Sequence, residues 1–332
     1  MSKYNLAVVG ATGAVGQQII KILEERNFPV ENIKFIASKK SKGKKISFLN
    51  KYIEVESIEK GIFENIDIAL FSIASELSKK FAPQAVKEGA LVIDNSSAFR
   101  MDDKVPLIVP EINADKINEN NGIIANPNCS TIQLVMAIKP IFEKYGLKRL
   151  IVNTYQAVSG TGKNAISELK KQTKDYVNNN ELKNEVYPHQ IIFNLLPHID
   201  DFQGNNYTKE EMKVINETRK ILDDKEIPIT ATAVRVPVLN GHGESVNIET
   251  EVSYVLDDIK ENIENMNNVK LIDNLKENIY PMPIMVENED DVLVGRIRRD
   301  HSKKNALNMW IVANNLRKGA ALNAVQIAEK LI

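Results

Sequence analysis

The 332-residue chain predicts an α/β fold, with an N-terminal doubly wound, largely parallel sheet followed by an α+β unit. Three observations carry this. Continuous apolar runs alternate with helix-period segments over residues 6–125. A glycine string follows the first apolar run directly. Beyond Lys148 the strand-like segments lengthen and crossovers become few, which predicts an antiparallel or mixed sheet.

The first run, Leu6-Ala7-Val8-Val9, reads as a strand buried on both faces. Gly10-Ala11-Thr12-Gly13-Ala14-Val15-Gly16 comes next, and then a helix with Val15, Ile19, Ile20, Ile22 and Leu23 at helical spacing. Glycines at such a strand-to-helix turn let backbone approach a pyrophosphate, and the helix start supplies N–H donors. A dinucleotide is therefore the expected ligand. A second strand over residues 33–37 ends at Ser38, where an NAD-specific site would place a carboxylate. Here the chain continues Lys39-Lys40-Ser41-Lys42-Gly43-Lys44-Lys45, read as a loop. Hydroxyls and ammonium groups suit a 2′-phosphate, so NADP(H) is expected over NAD. Further strands are predicted at residues 66–71, 91–94, 107–109 and 122–125, with a helix at 75–88. Arg100 lies in a polar loop after a strand, where ligands of such sheets bind, and is a candidate anion holder.

The single cysteine stands in Asn126-Pro127-Asn128-Cys129-Ser130-Thr131, between a short strand and a helix with Ile132, Val135, Met136, Ile138 and Phe142. Cys129 then sits on the first helical turn, where unpaired N–H groups favour the thiolate. A thiol with a pKa near 8.5 is only about 3% ionised at neutral pH, and a drop of roughly two units makes it mostly thiolate.

Strands are expected at residues 149–158, 229–237, 245–254, 292–297 and 307–312, and a last helix at 314–332 that returns to the first domain. Gln156 lies where a strand meets the turn Ser159-Gly160-Thr161-Gly162. Glu217 and Lys220 share a face of a predicted helix at 210–222. Arg235 and His242 flank a Pro- and Gly-containing turn. His242, between two glycines, is expected to lack core packing and is the best acid/base candidate of the four histidines.

A hydrophobic content of 43%, charged content of 26% and net charge of −1 describe an ordinary globular chain with no positive field for nucleic acid. One cysteine excludes an internal disulfide and fits a reducing compartment. No secretory signal and no bilayer-spanning stretch are visible, so no membrane partner and a cytoplasmic location are expected.

Taken together and in order, residues 10–16, 94–100, 126–131, 155–162, 235–242 and 315–321 make the chain resemble the bacterial aspartate-semialdehyde dehydrogenases from end to end. The resemblance implies a Rossmann domain, residues 1–128 with 313–332, and a catalytic and dimerisation domain, 129–312. It implies reversible NADPH-dependent reductive dephosphorylation of L-aspartyl-4-phosphate to L-aspartate-4-semialdehyde and phosphate, in a homodimer without metal. By position it implies Cys129 as the nucleophile that forms an acyl-thioester, His242 as proton donor and acceptor, and Gln156 positioning the thioester. Arg235 would bind the substrate carboxylate and Glu217 its ammonium, while Arg100 and Lys220 hold phosphate. Gly10, Thr12, Gly13, Ala14, Val15, Ser38, Lys40, Ser41, Ser159, Gly160 and Asn315 would contact the cofactor, with Lys40 standing where relatives often place arginine. The enzymatic alternatives are N-acetyl-γ-glutamyl-phosphate reductase, whose substrate has no free ammonium, and glyceraldehyde-3-phosphate dehydrogenase, whose cysteine context differs. The alternative outside enzymes is a Rossmann-type nucleotide sensor.

Overall fold

A computed structural model describes residues 2–332. The chain forms two compact units, residues up to 128 together with 320–332, and residues 129–319.

The first unit holds β1 (Tyr4–Val9), α1 (Ala14–Glu25), β2 (Val30–Ala37), β3 (Lys45–Phe48), β4 (Lys51–Ser57), β5 (Ile68–Phe71), α2 (Ser75–Lys87), β6 (Leu91–Asp94), α3 (Pro110–Asn113) and β7 (Ile123–Ala125). Its sheet runs β3-β4-β2-β1-β5-β6-β7 and is parallel except for the β3/β4 pair. This is the doubly wound arrangement expected from the alternating runs. Leu6 through Val9 are fully buried, as a central parallel strand requires. The last helix, Leu322–Glu329, packs its Leu322, Val325 and Ile327 into the same core as Ile19 and Leu23 of α1.

Two expectations fail locally. Residues 107–109 form only an isolated bridge, Leu107 with Ala125, because Pro110 starts the short helix α3 immediately afterwards. The lysine-rich run is not loop to its end: Lys45 opens β3, which pairs antiparallel with β4 and turns Phe48 and Val55 into the core. Four-residue strands with charged outer faces carry little periodic signal.

The second unit holds α4 (Cys129–Tyr145), β8 (Arg149–Gln156), α5 (Lys163–Val177), α6 (Lys209–Leu222), β9 (Ile229–Arg235), β10 (His242–Glu249), α7 (Leu256–Glu264), β11 (Val269–Leu271), β12 (Val292–Arg299) and β13 (Ala306–Ala313). Its mixed sheet runs β11-β12-β13-β10-β8-β9. The pairs β8/β9 and β11/β12 are parallel and the others antiparallel. Helix α4 is buried on almost every side, including Ile132 and the run Leu134 to Ile138.

The expected last helix over 314–332 is shorter, since a π-helical turn at Arg317–Ala321 precedes it. Residues 313–319, expected with the first unit, group with the second. The reason is local bonding. Asn314 Nδ2 donates to the carbonyls of Val286 (2.7 Å) and Glu287 (2.9 Å), and Arg317 pairs in two-pronged fashion with Asp290. Among the described residues no helix is long and apolar enough to cross a membrane.

Candidate active site

In the first unit the glycine string forms the β1–α1 turn. Gly10 has φ +88°, and a β-carbon there would stand 2.1 Å from the Ser72 carbonyl oxygen. A β-carbon on Gly16 would stand 2.2 Å from the Gly10 oxygen, so α1 meets the strand only because side chains are missing. Gly13 is the N-cap of α1 and brings no side chain of its own to the first-turn N–H groups. A bare helix start behind a glycine turn suits a pyrophosphate. Thr12 Oγ1 lies 3.5 Å from Ser41 Oγ, which brings the turn and the segment after β2 together. Ser38, Lys39 and Lys40 are exposed beside them, and Lys42 is paired with Glu59 at 3.2 Å. Arg100 is buried and held by the carbonyls of Asn126 (2.9 Å) and Asn95 (2.7 Å).

In the second unit three strand ends converge. Strands β8 and β9 run parallel and finish together at Gln156 and Arg235, which are partners in register. Strand β10 runs the other way and starts there, at His242. Helix α4 brings its first residues to the same edge. Gln156 Nε2 donates to Ser130 Oγ (3.0 Å), to Thr154 Oγ1 (3.3 Å) and to Glu210 Oε1 (3.1 Å). Cys129 is the first residue of α4 and is half-buried, as the sequence placed it. A β-carbon on Gly319 would stand 2.9 Å from Cys129 Cβ, so the π-helical turn lies directly against the cysteine.

Ala157, just past β8, links the imidazole to the guanidinium. Its N–H donates to His242 Nδ1 at 3.0 Å, and its carbonyl accepts from Arg235 Nη1 at 2.7 Å. Gly160 covers both, since a β-carbon there would lie 3.0 Å from Arg235 Nη1 and 3.3 Å from His242 Nε2. Asn315 Oδ1 accepts the Gly241 N–H at 2.9 Å while its Nδ2 donates to Ser159 Oγ at 3.0 Å, which ties the turn before His242 to the glycine-rich turn. Burial, reinforced by the Arg235 charge, pushes the His242 imidazole down to about 3, against an opposing pull from Glu210.

His242 is fully buried at the start of a strand, contrary to the expectation of an unpacked loop residue. The flanking glycine serves packing: a β-carbon on Gly243 would lie 2.6 Å from the Trp310 ring.

These features belong to two family descriptions that match the chain. Residues 5–120 match the semialdehyde dehydrogenase NAD binding domain, and residues 138–318 match the semialdehyde dehydrogenase dimerisation domain. The aspartate-semialdehyde dehydrogenase of Aquifex aeolicus is 53% identical over 99% of this chain and 98% of its own. That of Bacillus subtilis is 49% identical over 98% of this chain and 97% of its own. The chain belongs to the aspartate-semialdehyde dehydrogenase family. A crystal structure of aspartate semialdehyde dehydrogenase II from Vibrio cholerae, complexed with ASA, superposes with a TM-score of 0.97 at 45% identity, over 100% of this chain and 98% of that one. Membership in this semialdehyde dehydrogenase family makes the cofactor a nicotinamide dinucleotide, which the bare glycine turn fits.

Within that family frame one pair of expected residues needs revision. Helix α6 carries two Glu-x-x-Lys pairs, Glu210/Lys213 and Glu217/Lys220. It is Glu210, in the first turn, that bonds Gln156 and also Lys213 Nζ at 3.1 Å. Glu217 is buried two turns further on, about 10 Å along the axis. A capping box explains the fixed first turn. Thr208 Oγ1 accepts from Glu211 N, Glu211 Oε2 accepts from Thr208 N, and Glu211 Oε1 accepts from Ala233 N of β9. The Thr-x-x-Glu string at Thr208 was the available signal. Burial pulls Lys213 down, but Glu210 and Asp200 outweigh it and hold its ammonium above the usual range. Glu244 was also passed over. It is fully buried two residues after His242, and burial raises it well above the usual carboxylate range, with the Gln133 side chain pulling the other way.

Proposed function

We propose that this chain reduces L-aspartyl-4-phosphate to L-aspartate-4-semialdehyde and phosphate, reversibly, through a thioester on Cys129. The observation that carries the reading is the gathering of the Cys129 helix start, Gln156, Arg235, His242 and Glu210 at one sheet edge. Thiolate attack on the acyl phosphate stores the acyl group as an electrophilic, fixed thioester. Gln156 orients that group from a side chain already anchored on Ser130. Arg235, buried with Nε unpartnered, offers a guanidinium edge to the α-carboxylate. Glu210, in place of Glu217, takes the ammonium group, and Lys213 beside it joins Arg100 as a phosphate cation in place of Lys220. The reduced coenzyme supplies the hydride.

The coenzyme is NADP(H) over NAD, because Ser38, Lys40 and Ser41 stand where an NAD site would present a carboxylate. Gly10, Thr12, Gly13, Ala14 and Val15 hold its pyrophosphate end, and Ser159, Gly160 and Asn315 its other end. The dimerisation-family match supports a homodimer, and the single cysteine fits a reducing compartment, the cytoplasm. Phosphate-dependent NADP reduction with L-aspartate-4-semialdehyde tests the reading. Turnover is expected for the wild type and none for Cys129→Ala. Turnover of the N-acetylated glutamate homologue alone would replace this reading with the reductase. For coenzyme choice, Lys40→Ala should lower the NADP/NAD ratio of kcat/KM, and an unchanged ratio removes that contact.

A further inference from the structure

Arg100 is gripped by two asparagines that follow neighbouring strands. Asn95 comes directly after β6 and Asn126 directly after β7, and these strands run parallel with Asp94 and Ala125 in register. Arg100 Nε donates to the Asn126 carbonyl at 2.9 Å, and Nη2 donates to the Asn95 carbonyl at 2.7 Å. Two bonds to backbone fix both the place and the plane of a guanidinium.

The asparagine side chains in turn hold those carbonyls. Asn126 Nδ2 donates to Asn95 Oδ1 at 2.9 Å and to the Ala320 carbonyl at 3.3 Å. Asn126 Oδ1 accepts from Asn323 Nδ2 at 2.7 Å, and the same Nδ2 donates to the Ile108 carbonyl at 2.9 Å. Asn95 Nδ2 donates to the Phe71 carbonyl, at the end of β5, at 2.8 Å. The backbone N–H groups are engaged as well, Asn95 with Phe71 O and Asn126 with Asp94 O. Every polar group of Asn95 and Asn126 is therefore used. Asn126 and Asn323 are buried, where apolar side chains would serve packing alone as well or better. A continuous chain of amides runs instead from the last helix to the guanidinium, and a buried network with its members satisfied holds one geometry.

We propose that Asn323, Asn126 and Asn95 form a positioning frame for Arg100, so that the last helix of the chain sets the phosphate-holding guanidinium. This rests on the function proposed above and extends it to residues that act only through Arg100. The frame has a direction. Asn323 donates to Asn126, and Asn126 donates to Asn95. Removing the first amide takes that donor from Asn126 Oδ1 and lets the Asn126 amide turn away from Asn95.

Steady-state kinetics in the phosphorylating direction test this, with KM for inorganic phosphate and KM for L-aspartate-4-semialdehyde measured separately. Asn323→Leu keeps the volume and removes the donor. It should raise KM for phosphate about 5- to 30-fold, the size of one buried hydrogen bond, and leave KM for the semialdehyde within about twofold. In an Arg100→Ala background the same substitution should have no further effect on phosphate, within about twofold, since residues that act through one another are not additive. Additive losses, or equal rises in both KM values, reduce Asn323 to a structural role and overturn the proposal. If Asn323→Leu does not fold, Asn95→Ala removes the acceptor of Asn126 Nδ2 at a half-buried position and carries the same expectations. An inactive wild type would refute the proposed function instead. Calorimetric titration of the full chain with inorganic phosphate then decides the frame. Weakened binding in Arg100→Ala and Asn323→Leu alike supports it. Wild-type binding in Asn323→Leu overturns it, as does a wild type that binds no phosphate.

Discussion

Gln156, the last residue of β8, donates its side-chain amide to Ser130 Oγ in the first turn of α4, at 3.0 Å. The bond joins a strand end to a helix start. Cys129, one residue earlier, therefore takes its position from two rigid elements instead of from a loop. The same amide reaches Glu210, so one side chain sets the spacing between the cysteine, the strand end and α6.

Gly160→Ala should cripple catalysis while the protein folds. The new methyl would press on Arg235 Nη1 and His242 Nε2, both side-chain atoms that can shift. A displacement of that kind costs up to about 100-fold in kcat/KM. Steady-state kinetics beside a thermal melt check this; unchanged kinetics would show that neither side chain is in the reacting shell.

Glu210→Gln should raise KM for the semialdehyde by about 10- to 100-fold, the worth of a lost hydrogen bond to a charged group. Glu217→Gln should leave KM within about twofold and register in stability instead, since Glu217 is buried elsewhere on α6. A reversed pattern would return the ammonium site to Glu217.

Gly319→Ala places a carbon 2.9 Å from Cys129 Cβ and 3.3 Å from its Cα, where backbone must yield. A loss of about 1–3 kcal/mol in unfolding free energy is expected, as for overpacked cores. Alkylation of the single thiol by iodoacetamide should slow as the helix start is displaced. A variant with wild-type stability and alkylation rate would mean the turn is not held against the cysteine.

Glu244→Gln reads a raised carboxyl. Burial lifts Glu244 in the folded state well above the 4.5 of the unfolded chain. As pH rises through 4.5 the unfolded chain releases that proton while the folded protein keeps it, so wild-type stability falls with rising pH. Glutamine removes this loss. The variant should therefore be more stable than wild type at pH 8, with the gap closing below about pH 4.5. Urea unfolding at pH 4 and pH 8 measures both; a gap of equal size at the two values would mean Glu244 is already ionised.

The elements legible in the sequence are those whose signal is local. Leu6 to Val9 and the glycine turn read correctly because burial on both faces and close strand–helix approach each demand particular residues in a row. Cys129 read correctly because a helix start leaves its mark within a few residues. The carboxylate that meets Gln156 did not, because α6 repeats Glu-x-x-Lys and only that contact, 54 residues away in sequence, tells the copies apart. His242 was misjudged for the same reason: its glycine neighbour answers to Trp310, far along the chain. Glu244 gave no hint at all, since its surroundings come from a helix more than a hundred residues earlier.

The nucleotide-binding unit draws its core from both extremes of the chain. Asn323 donates to Ile108 O at 2.9 Å and to Asn126 Oδ1 at 2.7 Å, and Ile327 and Ala328 lie fully buried beside Ile19 and Ile22. During synthesis this sheet must wait for nearly the whole of the other unit to be translated before its last helix leaves the ribosome. A nascent chain halted before residue 322 would leave Ile19, Ile22 and Leu23 without the helix that covers them.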